Sequence, residues 1–293
     1  MNGIFLVDKP SDMTSFGVVA RVRRLTGEKC GHSGTLDPMA TGLLPVMVGK
    51  ATKLCDLFTE GKKGYIGTLR FGYATDTGDI TGKTLAEKPG VPSRAELEEQ
   101  LGKFIGTVTQ RPPIYSAIKV DGVPLYRHAR AGREVEVPER QVEIYSLVLL
   151  ELDEQKGEAV LEVECSKGTY IRTLFEDIAE SCDRLGTMAA LRRTKVGRFF
   201  IEDAIPLEKL MEALEEKKDA GLLPLEEALA FLPRYTPPEF FATLLNNGCA
   251  VAVKKLKNLP ESLCTVYQEE RLLGLGNIVE KDGETCFKVV THL

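Results

Sequence analysis

The chain has 293 residues, 43% of them hydrophobic and 28% charged, with a formal net charge of -5. That is enough for one large domain plus a small one, with the composition of an ordinary globular protein. No apolar run has the length of a membrane span, and MNGIFLVDKP carries no basic stretch ahead of its apolar residues, so neither membrane association nor a signal peptide is expected and a cytoplasmic location is.

In chain order, GIFLVDK has the pattern of a strand. TSFGVVARVRRL has that of a helix, with Thr14 or Ser15 as its N-cap. Residues 31–42, GHSGTLDPMATG, hold too many turn formers for a helix or strand interior and are expected to form a loop. LLPVMVG reads as a short buried strand and ATKLCDLFTEG as a helical segment closed by glycine. YIGTLRFGYAT alternates as a strand does, and SRAELEEQLGKF opens with Ser93 and Glu96 at capping-box spacing. VEIYSLVLLELD and EAVLEVECS form a hairpin across EQKG, and TYIRTLFEDIAESC an amphipathic helix. Residues 201–232 supply two more helices and a local charge of -6. After FLPRYTPP the pattern changes to short strands with turns, which sets residues 233–293 apart as a small β-rich module. Few β-α-β units can be drawn, so the fold class is expected to be α+β.

Outside the acidic segment the chain is close to neutral, with basic clusters at RVRR (21–24), RHARAGR (127–133) and LRRTKVGR (191–198). Local patches of this kind allow an RNA partner, and solvated faces carry the same pattern. The seven cysteines are scattered without a CxxC pair, and only three histidines are present. Reduced thiols and no metal site are therefore expected.

Several motifs fail on spacing. In GLLPVMVGKAT six residues separate the glycines and alanine follows the lysine, whereas a phosphate loop needs four and Ser or Thr. TGDITGKT fails on the same count, with three residues between Gly78 and Gly82. His32, Ser33 and Asp37 lack a G-x-S-x-G elbow and lie too close together to converge as a triad. What remains is one carboxylate, Asp37, on a glycine-rich loop. Read on its own it is a turn former before proline or a catalytic acid, because loops on rigid flanks concentrate function.

The wider pattern bears on that choice. GHSGTLDPMATGLLPVMVGKATK resembles the signature segment of the TruB family of pseudouridine synthases. NGIFLVDKPSDMTS, KKGYIGTLRFGYATDTGD, CSKGTYIRTLFEDIA and LRRTKVGRF resemble its other motifs, in order and spacing over about 200 residues. Asp12 departs from the family, which usually has glycine after the DKP turn, and this puts the local turn geometry in question.

The resemblance implies a pseudouridine-synthase fold, a mixed and mainly antiparallel sheet flanked by helices. It assigns residues 1–232 to the catalytic domain, about 112–139 to a thumb-like insertion, and 233–293 to a PUA-like RNA-binding domain. It implies an isomerase that converts uridine 55 in the tRNA T loop to pseudouridine, with base flipping, no cofactor and no obligatory protein partner. Asp37 is then the catalytic acid, Arg172 its ion-pair partner and Tyr65 the pocket tyrosine beside the base. Tyr170 and Leu191 line the same pocket, His32 fills the space left by the flipped base, and Lys9 and Lys53 contact phosphates. The C-terminal module would reach the tRNA acceptor end. A guided synthase that needs protein partners, and a tRNA-folding factor that only grips the uridine, share these motifs.

Overall fold

The computed structural model describes residues 1–293 except 117, 121, 132–134, 136 and 219. The expected 127–133 cluster and the thumb-like segment therefore fall partly outside the described residues.

Strand β1 (Gly3–Lys9) is buried almost throughout. Ile4 and Leu6 enter one apolar cluster and Phe5 and Val7 another, so both faces of the strand are covered. Helix α1 (Ser15–Thr26) follows, with Thr14 as its cap: the Thr14 Oγ1 accepts from the Gly17 amide at 2.9 Å. Gly27 ends it in the left-handed conformation, φ 70°. Asp12 is also left-handed, φ 60°, so the aspartate adopts the backbone shape that glycine takes more readily. Strands β2 (Cys30–His32) and β3 (Thr41–Val48) bracket the 33–40 loop. The expected loop is thus shorter at both ends, because Gly31 and His32 pair with Met47 and Val46, and Thr41 and Gly42 with Arg192 and Arg193.

The segment after β3 is a 3₁₀ turn leading into α2 (Cys55–Thr59). Strand β4 (Lys63–Phe71) follows, then the hairpin β5 (Tyr73–Thr75) and β6 (Thr84–Glu87) and helix α3 (Arg94–Leu101), capped by Ser93. Next come β7 (Gly106–Gln110), the short pair β8 (Lys119–Val120) and β9 (Val123–Pro124), and α4 (Leu125–Arg130). The long hairpin of β10 (Arg140–Asp153) and β11 (Glu158–Cys165) precedes α5 (Ile171–Ser181) and β12 (Gly186–Val196).

Among the described residues the main sheet runs β1-β3-β12-β4-β11-β10-β7, with short strands added on β1, β3 and β12. All of these neighbours are antiparallel except β3 and β12. A mixed, mainly antiparallel sheet flanked by helices is the α+β architecture that the sequence led us to expect. Its core on the α5 side holds Phe175, Leu69, Leu97 and Leu161. A second sheet runs Arg234–Tyr235, Cys264–Gln268, Arg271–Lys281, Glu284–His292 and Val251–Ala252. Tyr267, Leu272 and Leu275 of that sheet share an apolar cluster with Leu43 and Phe58, so the small module is packed onto the main-sheet part.

The parallel contact of β3 and β12 is the joint that matters for the site. Gly42 faces Arg193 there with φ +101°, and a Cβ on Gly42 would lie 2.3 Å from the Arg193 carbonyl oxygen. Gly42→Ala is expected to lose at least ~2 kcal/mol of stability, because a strained φ and a backbone clash coincide. A urea midpoint equal to that of wild type would show that the two strands can separate at no cost.

Candidate active site

The 33–40 loop has almost no regular structure of its own, and its backbone oxygens are held from outside. Arg193 Nη2 donates to the Gly34 carbonyl at 3.1 Å, and Ser15 Oγ to the Leu36 carbonyl at 3.1 Å. Lys9 Nζ donates to the Pro38 carbonyl at 3.1 Å, and Ser11 Oγ to that of Met39 at 3.3 Å. The Leu36 amide returns to Ser15 Oγ at 2.8 Å, and the Ala40 amide closes a turn on the Asp37 carbonyl at 3.1 Å. Asp37 therefore stands on a loop fixed at four carbonyls, the preorganisation a reacting group needs.

Lys9 requires a correction. As a phosphate contact it would have to reach solvent, but it is fully buried. Its Nζ also donates to the carbonyls of Pro10 at 2.8 Å and Met13 at 2.6 Å. Burial brings its pKa down to about 8. Lys9 is a post under the Asp37 loop. Lys9→Met would leave three carbonyls without their shared donor, so a loss of roughly 1–3 kcal/mol in stability is expected. The salt dependence of RNA binding should be unchanged, whereas a slope about one unit shallower would mean that Lys9 meets a phosphate after all.

Arg172 lies near the start of α5, where Tyr170 is the cap residue. The Tyr170 backbone is clamped by Gln110 of β7, whose side chain accepts from its amide at 3.0 Å and donates to its carbonyl at 3.2 Å. Arg172 is almost completely buried, and its Nε meets Asp37 Oδ2 at 3.0 Å. Nη1 donates to the Thr77 carbonyl at 2.7 Å and Nη2 to the Tyr115 carbonyl at 2.9 Å. Asp79 Oδ2 lies 4.0 Å from Nη1 on the far side, so one guanidinium sits between two carboxylates. Burial raises the Asp37 pKa above its ordinary value; Arg172 opposes that, Asp79 adds to it, and Lys9 opposes it weakly.

Asp37, Arg172, Tyr65, Tyr170 and Leu191 all line one cavity of about 640 Å³, within the size range of small-molecule sites. Tyr65 comes from β4 and Leu191 from β12. Gly67, opposite Leu191 in the ladder, leaves room for it: a Cβ there would lie 2.7 Å from the Phe175 ring and 3.2 Å from Leu191. Burial pushes the Tyr65 phenol up to about 12.

Three groups in or beside this site were missed in the sequence. Lys63 and Arg193 line the cavity, each two residues from an expected lining residue on the same strand and therefore on the same face. That period-2 relation was the available signal. Burial brings Lys63 to about 8, with Arg193 adding to the fall. Asp79, within the discarded TGDITGKT, is the third; its Oδ1 accepts from Thr77 Oγ1 and the Thr81 amide, both at 2.9 Å. His32 lies in β2 outside the cavity lining, with its Nδ1 buried and without a hydrogen-bond partner. Lys53 is exposed, and its Nζ donates to the His292 carbonyl of the small module at 2.7 Å.

The same geometry sits within sequences already grouped by descent. Residues 22–171 match the TruB family pseudouridylate synthase N-terminal domain, and residues 172–230 the tRNA pseudouridylate synthase B C-terminal domain. The chain belongs to the TruB family of pseudouridylate synthases. The two matched segments meet between Ile171 and Arg172, so the Asp37–Arg172 pair joins the halves of the TruB catalytic chain. A tRNA pseudouridine synthase B of Clostridium tetani is 41% identical over 300 residues, covering all of both chains. That of Aromatoleum aromaticum is 42% identical over 279 residues, 94% of this chain and 88% of the relative. Among solved structures, a chain of a Cbf5-Nop10-Gar1 complex superposes with a TM-score of 0.73 at 25% identity, covering 98% of this chain and 83% of that one.

Proposed function

We propose that the chain acts alone on tRNA, converting uridine 55 of the T loop to pseudouridine with Asp37 as the reacting carboxylate. The observation that carries this is a part-buried carboxylate held at 3.0 Å by Arg172 in a cavity that also presents Tyr65 and Leu191. The reaction is an isomerisation: N1–C1′ breaks, C5–C1′ forms, N1 takes a proton and the C5 hydrogen leaves to solvent. It needs no oxidant, reductant or group donor. A carboxylate that forms a covalent adduct splits one difficult step into two. A uridine must leave the loop stack to enter the cavity, at a cost of a few kcal/mol, which apolar contact with Leu191 and the Tyr65 ring offsets.

His32 takes the place of the flipped base in this reading. Burial and then Arg193 lower its pKa, which favours a neutral ring suited to stacking. Lys53 and the arginines of 127–133 meet phosphates, which position RNA without reading its sequence. Residues 112–139 close over the T loop; the Tyr115 carbonyl, near the start of that segment, is already held by Arg172. The sheet of residues 233–293 acts as a PUA-like module at the acceptor end. A cytoplasmic location accords with the tRNA substrate, and no helix among the described residues is long and apolar enough to cross a membrane.

The superposition on a chain from a multi-protein complex keeps a guided, partner-dependent enzyme as the second reading. Tritium release from an unmodified tRNA transcript labelled at C5 of uridine separates the two. One equivalent per tRNA with the isolated chain is the expected result. Binding without release would transfer the assignment to a guided enzyme or a tRNA-folding factor.

A further inference from the structure

β12 alternates two arginines across its faces. Arg192 points to one side and forms a two-point pair with Asp8, at 3.0 and 2.8 Å. Arg193 points to the other, has no exposed surface, and is one of the largest fully buried side chains among the described residues. No carboxylate lies within ion-pair distance of it among the described residues. A cation that is buried without a counter-charge costs several kcal/mol, and such a group lining a cavity is a candidate for a functional role.

The ladder places Arg193 opposite Tyr65 of β4 on one side and Gly42 of β3 on the other. Its Nε donates to the Leu43 carbonyl at 2.8 Å and its Nη2 to the Gly34 carbonyl at 3.1 Å. Nη1 is buried and has no hydrogen-bond partner. Tyr65, its partner in the ladder, lines the same cavity and is the polar side chain set beside the guanidinium. A guanidinium has only donors and no acceptor. A Tyr65 oxygen that meets this guanidinium can do so only with a lone pair, which leaves its single O–H hydrogen free for the cavity.

We propose that Arg193 is a positioning residue of the reaction, clamped by the Leu43 and Gly34 carbonyls so that it orients the Tyr65 hydroxyl hydrogen towards the flipped uridine. The clamp explains why this position is an arginine: a planar fork can hold two carbonyls and still face a third group, which an ammonium on a flexible stem does poorly. The same cation opposes the rise in Tyr65 pKa that burial causes. The inference rests on the synthase reading for its role in turnover, but the clamp on Arg193 and its place opposite Tyr65 are independent of it.

The test is a double-variant cycle of Arg193→Gln and Tyr65→Phe, read by single-turnover tritium release with tRNA affinity measured alongside. Arg193→Gln is expected to slow release roughly 30-fold when Tyr65 is present. In the Tyr65→Phe background it should slow release only about 3-fold, the share of the Gly34 tie, since groups acting through one another are not additive. Equal losses in both backgrounds, no loss, or a loss matched by weaker tRNA binding would overturn the proposal. Arg193→Lys keeps the charge and a donor and should recover part of the rate; it takes the place of Arg193→Gln if that variant does not fold. A readout free of turnover comes from protein labelled with ¹³C at tyrosine Cζ. The resonance missing from Tyr65→Phe should be moved by the Arg193 substitution, and its standing still would defeat the proposal. Failure of wild type to release tritium would overturn the synthase reading instead.

Discussion

Asp37→Asn is expected to abolish tritium release, by a factor of about 10⁴ or more, while tRNA binding stays within a few-fold of wild type. Asparagine keeps the shape of the side chain and an oxygen that can accept from Arg172, but it cannot serve as the nucleophile. The fold should survive the change. Arg172 retains the Thr77 and Tyr115 carbonyls, and Asp79 4.0 Å away. The effect on stability has a sign that can be checked. The Asp37 pKa is raised in the native state, chiefly by burial, so the native state binds its proton more tightly than the unfolded chain. Its contribution is fully present below the unfolded value and is lost as pH rises through the native value. Asparagine has no such dependence. Relative to wild type, Asp37→Asn should therefore gain stability from about pH 4 upwards, levelling off above the native-state pKa. Appreciable release by Asp37→Asn would return Asp37 to the role of a turn residue. An opposite pH trend in melting temperature would contradict the electrostatic reading of the site.

How far the site could be read in advance follows from what each residue depends on. Asp37, Tyr65, Tyr170, Arg172 and Leu191 fall in motifs, and the structure brings them to one cavity. Spacing alone left Asp37 undecided between turn and catalyst; the family pattern favours the catalyst, and the carbonyls pinned around it suit a preorganised reacting group. Lys9 was misread because a lysine after a short strand and before proline has the local pattern of a surface residue. Only the tertiary packing shows that the Pro38 carbonyl, 29 positions away, closes over it. Arg193 was hidden in a basic cluster, where charge suggested a solvated face. The alternation of β12 turns Arg192 to Asp8 and Arg193 inwards, and that could have been read once the strand was recognised. β12 itself was not, because LRRTKVGR lacks the apolar alternation that marks a half-buried strand. Asp79 closes the motif KKGYIGTLRFGYATDTGD, but a carboxylate in a turn-rich stretch gave no sign of pointing back at Arg172.

Arg172→Met should lower turnover at pH 7 by a factor on the order of 10²–10³, the range for removing one preorganised charge from an active site. Two consequences of a single guanidinium are removed at once. Asp37 loses the cation that most strongly opposes the effect of its burial, and Asp79 remains to push its pKa further up. A larger share of Asp37 is then protonated at neutral pH and cannot react. The Tyr115 carbonyl also loses its donor, which loosens the start of the segment we expect to close over the RNA. The rate should consequently recover in part as pH is raised, with its acidic limb displaced upwards relative to wild type, because deprotonation restores the reactive form of Asp37. Combining Arg172→Met with Asp79→Asn should displace the limb back towards wild type, since the like charge behind Asp37 is gone. Arg172→Lys should fall between, as an ammonium restores the charge but cannot meet Asp37, Thr77 and Tyr115 together. Buried Asp79 and the part-exposed Asp37 left facing a methionine imply a stability loss of roughly 1–3 kcal/mol after screening, so melting curves belong with the kinetics. A folded Arg172→Met with the wild-type rate and the wild-type acidic limb would show that Asp37 is kept ionised by something other than Arg172.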